Sequence, residues 1–163
     1  MQKYTFISKF IIMKGYICFI IFMLVAATAI NAQNLNGNGD NIVGKYEATL
    51  NKDSFKVNIT KNADGSYRGQ LFWVKDAFDK DGKKLCDENN PDKSLRNVPC
   101  DQIVIFDGLK YNAAKQRWDS TKIYEPRRGI KANLVCRFEA DGRLKVKGSL
   151  GPIGESHLWT RLK

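Results

Sequence analysis

His157 is the only histidine of the chain, so a Ser-His-Asp or Cys-His arrangement would have to use it. No G-x-S-x-G elbow or comparable nucleophile signature accompanies it. A lone strand histidine of this kind reads as structural or solvated rather than catalytic. Glu155, His157, Trp159 and Arg161 are spaced by two, and a strand through them puts all four on one face. With Trp159 turned inward, that face is a charged ladder lining an interior, suited to a polar or anionic ligand. With Leu158 inward instead, the ladder is only surface.

Oxygen-rich clusters offer a second kind of chemistry. Asp79, Asp81, Gly82 and Glu88 fall at positions three, five, six and twelve of a calcium loop, but Ala77 occupies position one and no helices flank it. Asp87, Asn89, Asn90 and Asp92 are explained by turn chemistry, because Asx side chains bond their own backbone and Asn90-Pro91 starts a turn. Arg96 is placed to pair with Asp87 or Asp92. Paired carboxylates for sugar hydrolysis depend on a separation that only three dimensions supply. No cysteines stand at C-x-x-C spacing, so no metal site, redox site or cofactor is expected.

The elements that must position these residues are strands. From Ile42 onward short runs alternate apolar and polar residues between turn signals. Phe55, Val57 and Ile59 share one face, and Asp64-Gly65 supplies a tight hairpin before the returning strand with Leu71, Phe72 and Trp73. Further strands fit Ile103 to Leu109, Arg117 to Tyr124 and Glu155 to Leu162. Ile130, Ala132, Leu134, Cys136 and Phe138 form another inner face, followed by a hairpin at Asp141-Gly142 and then Leu144, Val146, Gly148 and Leu150. About eight strands at this spacing predict an all-β fold, a single antiparallel barrel or a sandwich. A closed barrel is favoured because closure removes sheet edges. Asp76 to Pro99 breaks the rhythm as a long charged loop with one helical turn capped by Asp92.

Ahead of the strands, Lys14 and the apolar run from Gly15 to Ala27, ending in small residues, read as an export signal over residues 1–32, cleaved after Ala29 or Ala32. An uncleaved anchor is the rival reading, and Met13 is an alternative start. The protein is therefore expected in the periplasm or outside the cell, with a flexible lead over 33–41 and the barrel domain over 42–163. The full chain carries a net charge of +10; loss of Lys3, Lys9 and Lys14 brings it to about +7, which suits solubility or an anionic envelope surface rather than nucleic acid. In an oxidising compartment Cys86 and Cys100 could form a disulfide, whereas Cys136 reads as a small buried hydrophobe.

Asp87-x-Asn89-Asn90-Pro91-Asp92-x-x-Leu95-Arg96, Ile123-Tyr124-x-Pro126-x-x-Gly129, the glycine pattern from Gly142 to Gly154 and Trp159-x-Arg161 together resemble the bacterial domain of unknown function 2147 family. The resemblance spans nearly all of the chain after the leader, implies an envelope location in Gram-negative bacteria, and implies no activity. Glu125, Arg127-Arg128, Ile130-Lys131-Ala132 and Asp101 depart from its usual pattern. Gly44-x-Tyr46 and Arg161 also resemble the lipocalin-like barrels, in which an arginine from the closing strand covers a first-strand aromatic ring.

Trp73, Trp118, Tyr124 and Trp159 lie on separate strands, as a filled core requires; they could equally line a pocket, since barrels of about eight strands are either filled or hold one small ligand. The leading functional reading is a monomeric, non-enzymatic binder of a small apolar or amphipathic molecule, with Trp73, Trp118, Tyr124, Glu155, His157 and Trp159 as ligand-binding candidates. The second is an envelope interaction protein working through the strip Lys131, Arg137, Arg143, Lys145 and Lys147 and the 76–99 loop, toward an anionic polymer, a lipid or a protein partner.

Overall fold

A computed structural model of the chain describes residues 34–50 and 53–163. The predicted leader, its cleavage site and Gln33 lie outside the described residues. Eight strands run β1 (Gly44–Leu50), β2 (Asp53–Lys61), β3 (Tyr67–Val74), β4 (Val104–Asn112), β5 (Arg117–Glu125), β6 (Ile130–Phe138), β7 (Leu144–Leu150) and β8 (Ile153–Arg161). Each pairs antiparallel with its neighbour in sequence, and β8 returns to β1 to close a barrel. Closure is made through Tyr46 opposite Arg161 and Glu47 opposite Thr160.

Period-two alternation explains which residues enter the interior. Val57 and Ile59 of β2, Leu134, Cys136 and Phe138 of β6, and Leu144 and Val146 of β7 are all buried. On β8 it is Trp159 that turns inward, opposite Leu144, while Leu158 is exposed. Bulges interrupt the rule on β3. Trp73 pairs with Lys56 and Leu71 with Val57, leaving Phe72 as an extra residue. The bulge puts Phe72 and Trp73 both outside. Trp73, expected as a pocket residue, is therefore a surface side chain, with the Lys56 ammonium 4.9 Å from its ring centroid.

Residues expected to be a flexible lead are instead folded. Leu35–Gly37 and Gly39–Ile42 form two 3-10 turns, the second capped by Asn38. The barrel holds them through side chains that reach their backbone: Trp118 Nε1 donates to the Gly39 carbonyl at 2.9 Å and Tyr111 Oη to that of Asn36 at 2.6 Å. Asn36 in turn bonds both backbone groups of Phe138. A polar, glycine-containing stretch lacks an apolar pattern of its own, so its order comes from these donors rather than from anything periodic in its sequence.

In the long loop, Asp92 caps the 3-10 turn Lys93–Leu95, accepting from the Ser94 amide at 2.9 Å. Asp79 Oδ1 accepts from the amides of Asp81 and Lys83, so this part of the calcium-like run is a hairpin turn. The expected disulfide is not formed, and Cys86 and Cys100 are thiols. Cys86 lies opposite Pro99 in a short bridge, and both cysteines border the barrel cavity.

Candidate functional site

The barrel interior has a filled end and a hollow one. At the filled end Trp118 is fully buried, with Tyr111 at 5.2 Å and Phe138 edge-on at 5.7 Å between ring centroids. Tyr46 is likewise fully buried and donates to the Ile42 carbonyl. The Arg161 guanidinium sits 5.0 Å above the Tyr46 ring, donates to the Val43 carbonyl at 2.7 Å and to Tyr46 Oη at 2.7 Å, and also reaches the Asn41 carbonyl. Gly44 is required beneath it, because a Cβ there would lie 2.5 Å from Arg161 Nη1. Burial pushes the Tyr46 phenol up to about 12, against the opposing pull of Arg161. Trp118, expected as a ligand residue, belongs to this plug rather than to a pocket.

At the other end the same barrel encloses a cavity of about 700 Å³. Phe55, Leu71, Ile105, Ile123, Ala132 and Val146 supply apolar wall, and Trp159 marks the boundary with the plug, 6.0 Å from Phe55 and 6.4 Å from Tyr46. Glu155 and His157 continue the Trp159 face toward the rim and line the cavity, His157 Nε2 lying 3.8 Å from Glu155 Oε2. Among the described residues, no serine, threonine or cysteine hydrogen-bonds to His157, so it lacks the nucleophile contact of a hydrolase. Nor is there, among them, a cluster of three or more His, Cys, Asp or Glu side chains that could hold a metal ion.

The long loop forms one side of the cavity through a hydrogen-bonded hub. Asp87, only 3% exposed, accepts from Tyr124 Oη at 2.7 Å and from Asn90 Nδ2 at 2.6 Å. Arg96 Nε donates to the Asn90 carbonyl at 2.8 Å, rather than pairing with Asp87 or Asp92 as expected. Asn90 Oδ1 accepts from the Asp92 amide across Pro91. Burial, then the hydrogen bond to Asp87, pushes the Tyr124 phenol above its ordinary value and keeps it a neutral donor. Gly129 lets the loop approach, since a Cβ there would lie 2.3 Å from the Asn89 carbonyl oxygen and its φ is +65°. Thus the Asn90, Pro91, Asp92 and Arg96 motif holds the loop from behind, while Asp87, Asn89 and Tyr124 border the cavity, the Tyr124 hydroxyl already engaged.

At the rim, Arg127 pairs with Asp53 and lies 3.8 Å from Glu125, and Arg128 lies 3.7 Å from Glu125. Positions 125, 127 and 128, which depart from the usual family pattern, therefore meet in one ion-pair group at the mouth. Asp101, a fourth departure, pairs with Lys84 at 2.7 Å.

Of the six ligand candidates, Tyr124, Glu155, His157 and Trp159 border the cavity and Trp73 and Trp118 do not. Sequence reasoning missed the aliphatic wall and the central place of Asp87. The first had a signal in the inner-face alternation; the second had none, because Asp87 meets Tyr124 across 37 residues. Within the basic strip, Arg137 faces Lys145 across the ladder, but Arg143 is paired with Asp141 and Lys145 with Glu139.

An eight-stranded antiparallel barrel with a plugged base and a hollow mouth is a lipocalin-like fold. The chain belongs to the bacterial family described as "Uncharacterized protein conserved in bacteria (DUF2147)", whose pattern matches residues 44–161. Its fold is similar to that of the protein HP1028 from Helicobacter pylori, described as belonging to the lipocalin family, at 24% identity and a TM-score of 0.60, over 75% of this chain and 83% of that one. No curated protein matches the chain.

Proposed function

We propose that the protein is an exported, non-enzymatic carrier that holds one small apolar or amphipathic molecule in the mouth of its barrel. The observation that carries this reading is the unequal filling of the interior. A volume of about 700 Å³ falls within the roughly 300–1,000 Å³ typical of small-molecule sites. Its wall has an apolar part made of aliphatic side chains and a polar part contributed by several strands and loops, the composition that buries a hydrocarbon body and orients a polar end. The leader and the family resemblance support export to the bacterial envelope.

Native mass spectrometry of protein purified from its own host tests the reading. A co-purifying species of a few hundred daltons, released on denaturation, is the expected result. Apo protein that also takes up no hydrophobic dye or alkyl chain would sink it.

A further inference from the structure

We propose that the molecule held in the barrel carries a basic group, an amine or other cation, in place of the carboxylate that the histidine-bearing ladder alone would suit. The inference rests on the carrier reading and concerns the charge of the occupant's polar end.

The argument is a comparison of signs. The chain as a whole is strongly basic, at +10. The cavity reverses that balance. Asp53, Asp76, Asp87, Glu125 and Glu155 line it, against Lys75, Arg127 and Arg128, with His157 the only other titratable base among its walls. At the rim the two signs offset each other, because Arg127 is held by Asp53 and Glu125, and Arg128 by Glu125. Further in, the buried Asp87 borders the space, and at the rim the largely exposed Glu155 has His157 at a long 3.8 Å.

Asp87 carries the most weight. It is buried, yet its two hydrogen-bond donors, Tyr124 and Asn90, are neutral, and among the described residues no ammonium or guanidinium pairs with it. Arg96 stops at the Asn90 carbonyl. A carboxylate has about four acceptor positions, and here each oxygen accepts one side-chain hydrogen bond. A buried anion without a counter-ion is costly, and a ligand cation supplies the missing charge. An anionic headgroup would instead meet like charge in a region of low dielectric, where Coulombic repulsion is strong.

Three chain-matched probes test the charge preference: dodecylamine, dodecanol and dodecanoate, titrated separately into the purified protein below their micellar concentrations and followed by calorimetry. Dodecylamine is expected to bind at least tenfold more tightly than dodecanoate, with dodecanol between them. Asp87→Asn should narrow that ratio. Because loss of Asp87 also loosens the loop hub, Glu155→Gln serves as a second variant, removing a charge from an exposed strand position without touching the hub. Dodecanoate binding as tightly as dodecylamine overturns the inference and leaves the carrier reading standing. Failure of all three probes overturns both.

Discussion

The two ends of the barrel are built from the same eight strands and solve opposite problems. At the base, large rings converge and an N-terminal segment closes the opening, with Trp118, Tyr111, Tyr46 and Arg161 each donating to its backbone or to one another. At the mouth, inward positions carry medium or small side chains such as Ile123, Ala132 and Gly148, and the loop's Asp87 bonds to Asn90 and to Tyr124 of β5. Ring contacts and hydrogen bonds to the N-terminal segment are concentrated at one end, and the other end encloses open volume.

Truncations should expose the contrast most sharply. Trp118→Ala removes a fully buried ring and its hydrogen bond to Gly39, for an expected loss of about 3–5 kcal/mol. Ile123→Ala, at the cavity wall, should cost only about 1 kcal/mol, because its removed atoms already adjoin empty space. Denaturant midpoints of the two variants check this. Equal losses would mean that the mouth is as tightly packed as the base.

High pH provides the second comparison, through the tyrosines. The Tyr46 phenol has its folded value raised to about 12 by burial, against an ordinary 10. Below pH 10 it is neutral in both folded and unfolded chains, and its contribution is fully present. Between pH 10 and 12 the unfolded chain releases a proton that the barrel retains, so stability falls as pH rises, by up to about 2–3 kcal/mol for a two-unit shift. Tyr67 at the base and Tyr124 beside the mouth are raised in the same direction by burial and by Asp40 and Asp87. Tyrosinate absorbance from these three should appear together with loss of near-ultraviolet circular dichroism. Ionisation of Tyr124 ahead of that loss would show the loop hub opening independently of the base.

Much of the barrel was legible from alternation alone, because side-chain period two and half-burial are local consequences of each strand. The lid of Arg161 over Tyr46 was legible only through the resemblance of Gly44-x-Tyr46 to lipocalin-like barrels; the structure adds that a Cβ at Gly44 would lie 2.5 Å from Arg161 Nη1. Bulges were not legible. One extra residue at Phe72 reverses the face of Trp73, and nothing in Leu71-Phe72-Trp73-Val74 says where the ladder slips. The plug was hidden because its donors arrive from β4, β5 and β8, far along the chain. Which end stays hollow was hidden too, since it depends on summed side-chain volumes at each level of a closed barrel, and adjacent levels come from strands up to a hundred residues apart.

Filling the mouth gives the smallest expected change in stability and a direct test of the division between the ends. Ala132 lies on the inner face of β6, opposite Ile123 of β5, and lines the cavity. A phenyl group introduced there enters open space, so Ala132→Phe should avoid the usual 1–3 kcal/mol cost of overpacking a dense core and shift stability by less than about 1 kcal/mol. The same ring occupies volume that an alkyl chain needs. Affinity for dodecanol should fall at least tenfold in the variant, while the denaturant midpoint stays near that of the parent. Unchanged affinity would place the bound chain on the outer surface, where the exposed Phe72 and Trp73 lie. A large stability loss would show that the wall around Ala132 closes in on itself when empty. A midpoint that holds while binding is lost assigns stability to the base and recognition to the mouth, because only a site that contributes little to folding can be refilled without disturbing it.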